Sequence, residues 1–310
     1  MSVILPTYNM AEYVVESVES ILHQTLQDFE LIIINDGSTD DTKTKLGCLL
    51  DHPKIVYRVQ ENQGVAAALS GGIRIAGGEF IAIQNADDIS LPTRLAEQAA
   101  VLAQNPEAEM VFCRALLTFD DGRPERVRGG LPPGLSAEES FYRLYRHGNV
   151  LPYAVMFRRR HLRNEDPFPD RYRICCDYYH HLMVAHDYPI LGIGKPLIRM
   201  RRGEFHDCLT RDHERTFGED RAVLNEIHLE FRDKPPRVNR KCYAQAMANR
   251  FLAEARFYMK RGQYEIASRK IFEAFSYRPF SPRISRMFFK WLFRRIFAEI
   301  KLERSTGPCA

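Results

Sequence analysis

Apolar and polar residues alternate in blocks along the first 120 residues of the chain. Continuous apolar or β-branched runs predict five strands, at residues 3–5, 29–34, 54–59, 79–83 and 109–118. Apolar side chains at helical spacing predict helices between them, at residues 11–24, 65–75 and 91–104. Because the strands are apolar on both faces, the pattern predicts an α/β fold, in which a mostly parallel sheet carries helices on both faces.

The pattern changes toward the C-terminus. Further strands and helices near residues 137–193 complete the α/β domain, which we place at residues 1–225. Two helices broken at Arg261-Gly262 predict a helical hairpin in residues 226–278. A single helix pair lacks the neighbours that a repeat array needs, so we expect an appendage. Residues 279–310 are predicted to form a basic amphipathic C-terminal helix.

Polar clusters follow three of the predicted strands. They lie at residues 6–9, 35–40 and 85–88. In parallel sheets, ligands bind beyond the carboxyl ends of the strands. The three clusters are therefore expected to converge on one crevice.

Charge and cysteine content narrow the class of protein. The net charge is +4, and the seven basic and two acidic residues at 281–304 leave the rest of the chain near neutral, which argues against a nucleic-acid partner. Seven irregularly spaced cysteines suit reduced thiols. Because the sequence also shows neither a secretory signal nor a run of about 20 apolar residues, we expect a cytoplasmic protein.

Two adjacent carboxylates, Asp87 and Asp88, end the third polar cluster. Neighbouring carboxylates repel each other and are stabilised by a cation or a basic partner. Mg²⁺ and Mn²⁺ bind through one or two carboxylates together with substrate phosphates. The alternative is an acidic cap for the helix that contains Pro92. The two residues alone do not distinguish these possibilities.

The two carboxylates belong to a set of five motifs that has a characteristic order and spacing. They are VILPTYN (3–9), IINDGSTDDT (33–42), ENQGVAAALSGGI (61–73), GGEFIAIQNADD (77–88) and LPTRLAEQ (91–98). Over about residues 2–215 the chain resembles the family 2 glycosyltransferases, which have the Rossmann-like GT-A fold. The resemblance implies an inverting transferase that uses a nucleoside-diphosphate sugar and a divalent cation, Mn²⁺ or Mg²⁺.

The resemblance also implies which residues hold the nucleotide base. Pro6, Thr7 and Tyr8 would line the base. Asp36 would form a hydrogen bond to its polar edge. The alternative for Tyr8 is a surface aromatic side chain without a ligand.

Further positions concern the nucleoside and the metal. Asn62 and Gly64 would form a loop that closes over the nucleoside, and Asp87 would ligate the metal that bridges the diphosphate. Asn85 stands where the family usually has an Asp that faces the ribose and the metal. An asparagine keeps an oxygen that can bind a ribose hydroxyl, but it carries no charge.

The catalytic base is expected near residue 177. In the resembling family an acidic pair precedes a helix, and here Asp177 matches the base while Cys176 replaces the usual Glu. Asp177 could instead be a helix N-cap. His206 lies where some relatives carry a histidine that completes the metal or diphosphate site, although it could be a surface loop residue. The nearby cysteines and histidines show no CxxC or HxxxH spacing, which argues against zinc.

The predicted reaction is transfer of a sugar, from a UDP-sugar by resemblance, to a hydroxyl of a glycan or lipid-linked acceptor. Assembly of a surface polysaccharide, lipopolysaccharide or other glycan would use such a reaction. The alternative is a catalytically degenerate protein that binds a nucleotide sugar or scaffolds a membrane assembly. Asn85 and Cys176 favour that alternative.

Residues 281–304 have the pattern of a helix that lies on an anionic membrane. The pattern predicts one aromatic face with a basic boundary. The face is formed by Phe289, Leu292, Phe293, Ile296 and Ile300, with Phe288 and Trp291 on its flanks. The basic boundary consists of Arg286, Lys290, Arg294, Arg295 and Lys301. We therefore expect peripheral association with the inner face of a membrane. The alternative is that the aromatic face packs on the helical hairpin.

Overall fold

The computed structural model describes residues 1–119, 121–148, 154–161, 167–202 and 212–305. The chain divides into two compact units, the first comprising residues 1–144 and 149–219 and the second residues 145–148 and 220–310. Within the described residues, no helix is both long enough and apolar enough to cross a bilayer.

The first unit is built on a nine-stranded sheet. Its strands are β1 (Ser2–Thr7), β2 (Glu30–Asn35), β3 (Ile55–Val59), β4 (Phe80–Ile83), β5 (Ile89–Ser90), β6 (Met110–Phe119), β7 (Arg126–Arg128), β8 (Val155–Arg158) and β9 (Ile190–Arg202). Their order is β3-β2-β1-β4-β8-β6-β9-β5, with β7 paired to β6. Strands β1 to β4 are parallel, and β8 runs antiparallel to both of its neighbours. The predicted α/β class is confirmed.

Helices and 3₁₀ turns connect these strands. They are α1 (Val14–Leu22), α2 (Thr42–Leu46), α3 (Val65–Ile75), α4 (Arg94–Gln104), α5 (Ala137–His147) and α6 (Cys176–Asp187), with 3₁₀ turns at Gly47–Asp51 and Arg159–His161. The apolar face of α1 and the side chains of Val3, Leu5 and Leu31 share one core cluster. The central strands are therefore buried by helices, as their apolar sequences predict.

Strand β9 is longer than the sequence predicts. Residues 189–193 are expected to form a short strand, whereas β9 runs from Ile190 to Arg202. A Cβ atom at Gly192 would lie 2.0 Å from the carbonyl oxygen of Leu131, so this position requires glycine. Gly192 and Pro196 interrupt the apolar pattern, so the pattern predicts only the first part of this strand. Its extension carries Arg201 to the loop that contains Asp87.

The second unit is helical. Its helices are the C-terminal part of α7 (His213–Phe231), then α8 (Arg240–Lys260), α9 (Tyr264–Tyr277) and α10 (Pro282–Ser305). The predicted hairpin corresponds to α8 and α9, and it turns at Gly262, whose φ is +74°. The indole nitrogen of Trp291 donates a hydrogen bond to the carbonyl oxygen of Tyr264 at 2.8 Å, which joins α10 to α9.

Candidate active site

The loops that follow β1, β2 and β4 meet at one edge of the sheet. Thr7 pairs with Asn35 in the β1–β2 register, so the two strands end side by side. A cavity of about 670 Å³ lies at this edge. Its lining includes nine of the predicted site residues, namely Pro6, Thr7, Tyr8, Asp36, Asn62, Gly64, Asn85, Asp87 and Asp177. His206 lies outside the described residues. The expected convergence of the loops is thus observed.

Asp36 organises the loop that follows β3. Its carboxylate is buried and accepts hydrogen bonds from Gln60 Nε2 at 2.7 Å and from the backbone nitrogens of Gln63 at 3.0 Å and Gly64 at 2.8 Å. Gly64 has a φ of +91°, a backbone conformation that favours glycine. Asp36 therefore fixes the position of Asn62 and Gly64. Its expected bond to a nucleotide base stays a prediction.

The loop after β1 is tied to the loop after β2. Asn9 has a φ of 52°, its amide oxygen accepts the backbone N–H of Thr39 at 2.8 Å, and its own N–H donates to Ser38 Oγ at 3.0 Å. These bonds hold Tyr8 on the cavity wall, where it is 43% exposed. Thr7 Oγ1 is buried and has no hydrogen-bond partner among the described residues, which is unusual for a buried hydroxyl group.

The adjacent carboxylates have different surroundings. Asp88 is 1% exposed, and its Oδ2 accepts a hydrogen bond from Asn85 Nδ2 at 3.1 Å. Asp87 is half-buried and lines the cavity. The N-cap of α4 is Thr93, so the alternative that these carboxylates cap this helix is wrong.

The fit of a divalent cation depends on Asp87. Among the described residues, no group of three or more His, Cys, Asp or Glu side chains could hold a metal by itself. Mg²⁺ in phosphate sites is bound by one or two carboxylates, with waters and substrate phosphates as the remaining ligands. The Asp87 carboxylate on the cavity wall fits a cation of that kind, which the substrate would help to bind.

Arg94 supports the Asn85–Asp88 turn from below. Its guanidinium is fully buried and donates to the carbonyl oxygen of Ile83 at 2.6 Å, to Gln84 Oε1 at 2.7 Å and to Ser90 Oγ at 2.9 Å. Gln84 Nε2 in turn donates to the carbonyl oxygen of Asp88 at 2.7 Å. Burial lowers the pKa of Arg94, and Asp88 partly offsets this effect. The turn that bears Asp87 therefore rests on a buried polar network.

Arg201 holds the same turn from strand β9. Its Nη1 donates to the carbonyl oxygen of Asp87 at 2.9 Å. The guanidinium also pairs with Glu16 and lies 5.2 Å from the ring centroid of Tyr13. Arg201 thus links β9 and α1 to the turn that carries the proposed metal ligand.

Asp177 lies in the first turn of α6. The N-cap of this helix is Cys175, so Asp177 is not its N-cap, and its carboxylate accepts the N–H of Tyr178 at 2.7 Å. Burial, together with the neighbouring Asp177, raises the pKa of the Cys176 thiol well above its usual range. Burial also holds the pKa of His181 well below its usual range. The Cys176 thiol and the His181 imidazole are therefore uncharged at neutral pH.

Glu219 holds the loop that leads into α6. Its carboxylate accepts three consecutive backbone N–H groups, those of Arg173 at 3.1 Å, Ile174 at 2.7 Å and Cys175 at 3.0 Å. A charged acceptor forms stronger hydrogen bonds than a neutral one. Glu219 therefore positions the segment that carries Asp177, a role that the sequence pattern does not reveal.

Comparison with known proteins identifies the family. The model of glycosyl transferase family 2 matches residues 2–165. The chain belongs to this family. It is 36% identical over 105 residues to an uncharacterised glycosyltransferase of Rickettsia bellii, a match that covers 34% of this chain and 15% of that protein. The matches span only part of the curated relatives, between 14% and 58% of their lengths.

Solved structures with the GT-A fold are similar to this family 2 chain. TarS of Staphylococcus aureus has a TM-score of 0.61 at 16% identity, over 92% of this chain and 50% of that one. The mannosyltransferase PcManGT of Pyrobaculum calidifontis, solved with GDP-Man and Mn²⁺, has a TM-score of 0.58 at 20% identity, over 93% of this chain and 78% of that one. The GT-A fold expected from the sequence is confirmed.

Two further cations of this family 2 chain line the cavity. Arg173 and Arg215 are exposed, and both contribute to the cavity wall. The Nε of Arg215 lies 3.6 Å from Asp212, a long pair between side chains that are 46% and 54% exposed. Exposed pairs of this kind are weak, so the guanidinium of Arg215 is available to an anion. Arg173 opens the segment that contains Asp177, whereas Arg215 lies outside the motifs that carry the family resemblance.

Proposed function

We propose that this chain transfers a sugar from a nucleoside-diphosphate sugar to an acceptor hydroxyl, with inversion at the anomeric carbon. One observation carries the proposal: the predicted nucleotide residues and Asp177 line one cavity of about 670 Å³. Ligand pockets have volumes of about 300–1,000 Å³, so the cavity is large enough for a nucleotide sugar.

The proposed donor is a UDP-sugar. TarS has been solved with UDP-GlcNAc, which supports uridine, whereas PcManGT has been solved with GDP-Man. Tyr8 is 43% exposed on the cavity wall and would lie against the base, and Thr7 supplies a buried hydroxyl without a partner among the described residues. Because PcManGT has been solved with GDP-Man, a GDP-sugar is the competing donor to test.

A divalent cation would be held by Asp87 and the donor diphosphate. When bound, such a cation neutralises negative charge on the diphosphate leaving group. Arg94 and Arg201 fix the backbone around Asp87 and so orient its carboxylate. The exposed guanidiniums of Arg173 and Arg215 add positive charge to the same cavity.

Asp177 is the proposed general base. An inverting transfer needs a carboxylate on the face opposite the leaving group, where it removes the proton of the attacking hydroxyl. The N–H of Tyr178 orients one carboxylate oxygen of Asp177. The hydrogen bonds to Glu219 fix the loop that precedes α6.

The proposed acceptor is a hydroxyl of a glycan or of a lipid-linked intermediate, in the cytoplasm or at the inner face of a membrane. The competing function is a degenerate protein that binds a nucleotide sugar without transferring it. Asn85 favours that function because it lacks the usual charge, and Cys176 favours it because its thiol is neutral. Asp177 on the cavity wall favours the transferase.

A donor screen separates the two functions. The full chain is incubated with UDP- and GDP-sugars, with or without Mn²⁺, and with soluble or lipid-linked acceptors, and release of nucleoside diphosphate is measured. We expect cation-dependent release from a UDP-sugar that increases with one acceptor class and is lost in Asp177→Asn. Binding of the donor by calorimetry without release under any condition would overturn the transferase proposal and support the degenerate protein.

A further inference from the structure

Helix α10 has two apolar faces. Ile284, Met287 and Trp291 are buried on one face and pack within the second unit. Phe289 and Phe293 are 58% and 61% exposed, and four-residue spacing places both on the opposite side of the helix. The sequence predicts one aromatic face that includes Trp291, but the structure separates Trp291 from the exposed rings.

The exposed rings continue onto α9. The ring centroid of Phe288 lies 6.2 Å from that of Phe289 and 6.2 Å from that of Phe272 on α9, which is 62% exposed. Together with Phe293, these side chains form a surface that we name the phenylalanine surface. Contiguous exposed apolar patches on soluble proteins mark interaction sites.

Basic side chains border this surface on α10. Arg286, Lys290 and Arg294 are exposed and recur every four residues, which places them in a row beside Phe289 and Phe293. Residues 282–295 contain five basic side chains and no acidic one. The apolar surface therefore has a positively charged border, and residues 282–295 of its helix contain no compensating acid.

We infer that the phenylalanine surface and its basic row are the face by which this chain lies on an anionic lipid bilayer. Large aromatic side chains beside Lys and Arg suit the membrane interface, where rings enter the headgroup region and cations meet lipid phosphates. Each such cation contributes about a fivefold gain in affinity for anionic membranes. The inference specifies the membrane part of the proposed function, but lipid binding requires no catalysis.

Vesicle sedimentation tests the inference on the full chain. We expect binding to vesicles of phosphatidylcholine with phosphatidylglycerol that increases with the anionic fraction and falls at high salt. Phe289→Ser with Phe293→Ser should weaken binding at least tenfold. Arg286→Gln, Lys290→Gln and Arg294→Gln together should weaken it by about 10², since three cations are lost.

Matched controls alter exposed residues elsewhere in the second unit. Leu229→Ser removes a side chain that is 57% exposed on α7, and Arg240→Gln with Lys241→Gln removes exposed charges from α8. Both controls should bind vesicles like the parent. If the serine variants unfold at lower temperature, the glutamine variants and the salt dependence decide the outcome.

Two results would overturn the inference. One is a parent chain that ignores anionic vesicles at low salt. The other is a parent dimer that the serine variants convert to monomers without a change in vesicle binding, which would assign the surface to a second copy of the chain. Nucleoside diphosphate release is measured on the same samples, so a failure of lipid binding and a failure of transferase activity are distinguished.

Discussion

Arg94 donates a hydrogen bond to the carbonyl oxygen of Ile83 at 2.6 Å, and the guanidinium is fully buried where it does so. Ile83 is the last residue of β4, and the Asn85–Asp88 turn begins two residues later. A long cationic side chain from α4 thus sets the end of the strand that delivers Asp87 to the cavity. A buried charge persists only when its donors are satisfied, as they are here.

Replacing Arg94 is therefore expected to destabilise the first unit. Arg94→Met would remove the donor to the carbonyl of Ile83, the donor to Ser90 Oγ and one of the two donors to Gln84 Oε1, at a cost of about 3 kcal/mol. For a unit of this size this cost corresponds to a Tm lower by about 10 °C. Thermal unfolding measures the effect, with the exposed Arg58→Met as control. An unchanged Tm would show that the network is dispensable.

A second prediction concerns Glu219 and the loop before Asp177. Glu219→Ala would leave up to three backbone N–H groups without their acceptor, with a loss of about 1–3 kcal/mol and a lower kcat. The KM for the donor should change less than kcat, because the residues proposed to bind the nucleotide and the cation lie on other loops and only Arg173 lies on this one. Steady-state kinetics check the split between kcat and KM. The control is Glu214→Gln, an exposed residue on the same helix. Equal losses in the two variants would contradict a positioning role.

The parallel half of the sheet and its site edge follow from the sequence. Strands β1, β2 and β4 are continuous apolar runs that end at polar residues, so the convergence of Thr7, Asp36 and Asp87 on one cavity can be derived from sheet geometry. The pattern at these strands is strong because both faces are buried. Local apolar periodicity therefore identifies the elements, and parallel pairing brings their ends together.

The supporting residues do not follow from the sequence. Glu219 lies 44 or more residues from the backbone groups that it binds, and Arg201 lies 114 residues from Asp87. Such contacts depend on tertiary structure, which periodicity does not encode. Strands β5 and β7 contain two and three residues, too few for an alternating pattern. The predicted aromatic face of α10 is split, because Trp291 is buried whereas Phe289 and Phe293 are exposed. Burial also depends on tertiary structure.

The role of Asp87 is tested by cation dependence of donor binding. Asp87→Ala removes the carboxylate on the cavity wall, whereas the Arg201 contact to the backbone oxygen of residue 87 needs no side chain there. We expect Mn²⁺ to raise the affinity of the parent for its donor and to have little effect on the variant. Calorimetry with and without Mn²⁺ measures this. Equal affinities of the parent in both conditions would remove Asp87 from the metal role.

We predict that the buried His180 makes the folded protein less stable in acid. Burial lowers the pKa of His180 to about 4, from an ordinary value of 6.5. The unfolded chain binds the proton more tightly, so stability is complete above about pH 6.5 and is lost as the pH falls toward 4. At pH 5 this group should cost on the order of 2 kcal/mol. His180→Leu should unfold less readily in acid, relative to its own stability at pH 7, than the parent does. The exposed His23→Leu is the control, and parallel pH profiles for parent and His180→Leu would refute the prediction.

Asp177→Asn tests the proposed base directly. The amide oxygen of asparagine can still accept the N–H of Tyr178, so folding and donor affinity should be retained. Because asparagine cannot take up the acceptor proton, turnover should fall by about 10²–10⁴. The matched control is Asp212→Asn, which alters a carboxylate on the same cavity and can still accept the N–H of Arg215. We expect the control to retain most of its turnover. Sugar transfer by Asp177→Asn at the parent rate would exclude Asp177 as the base, and an equal loss in both variants would attribute the effect to the charge of the cavity.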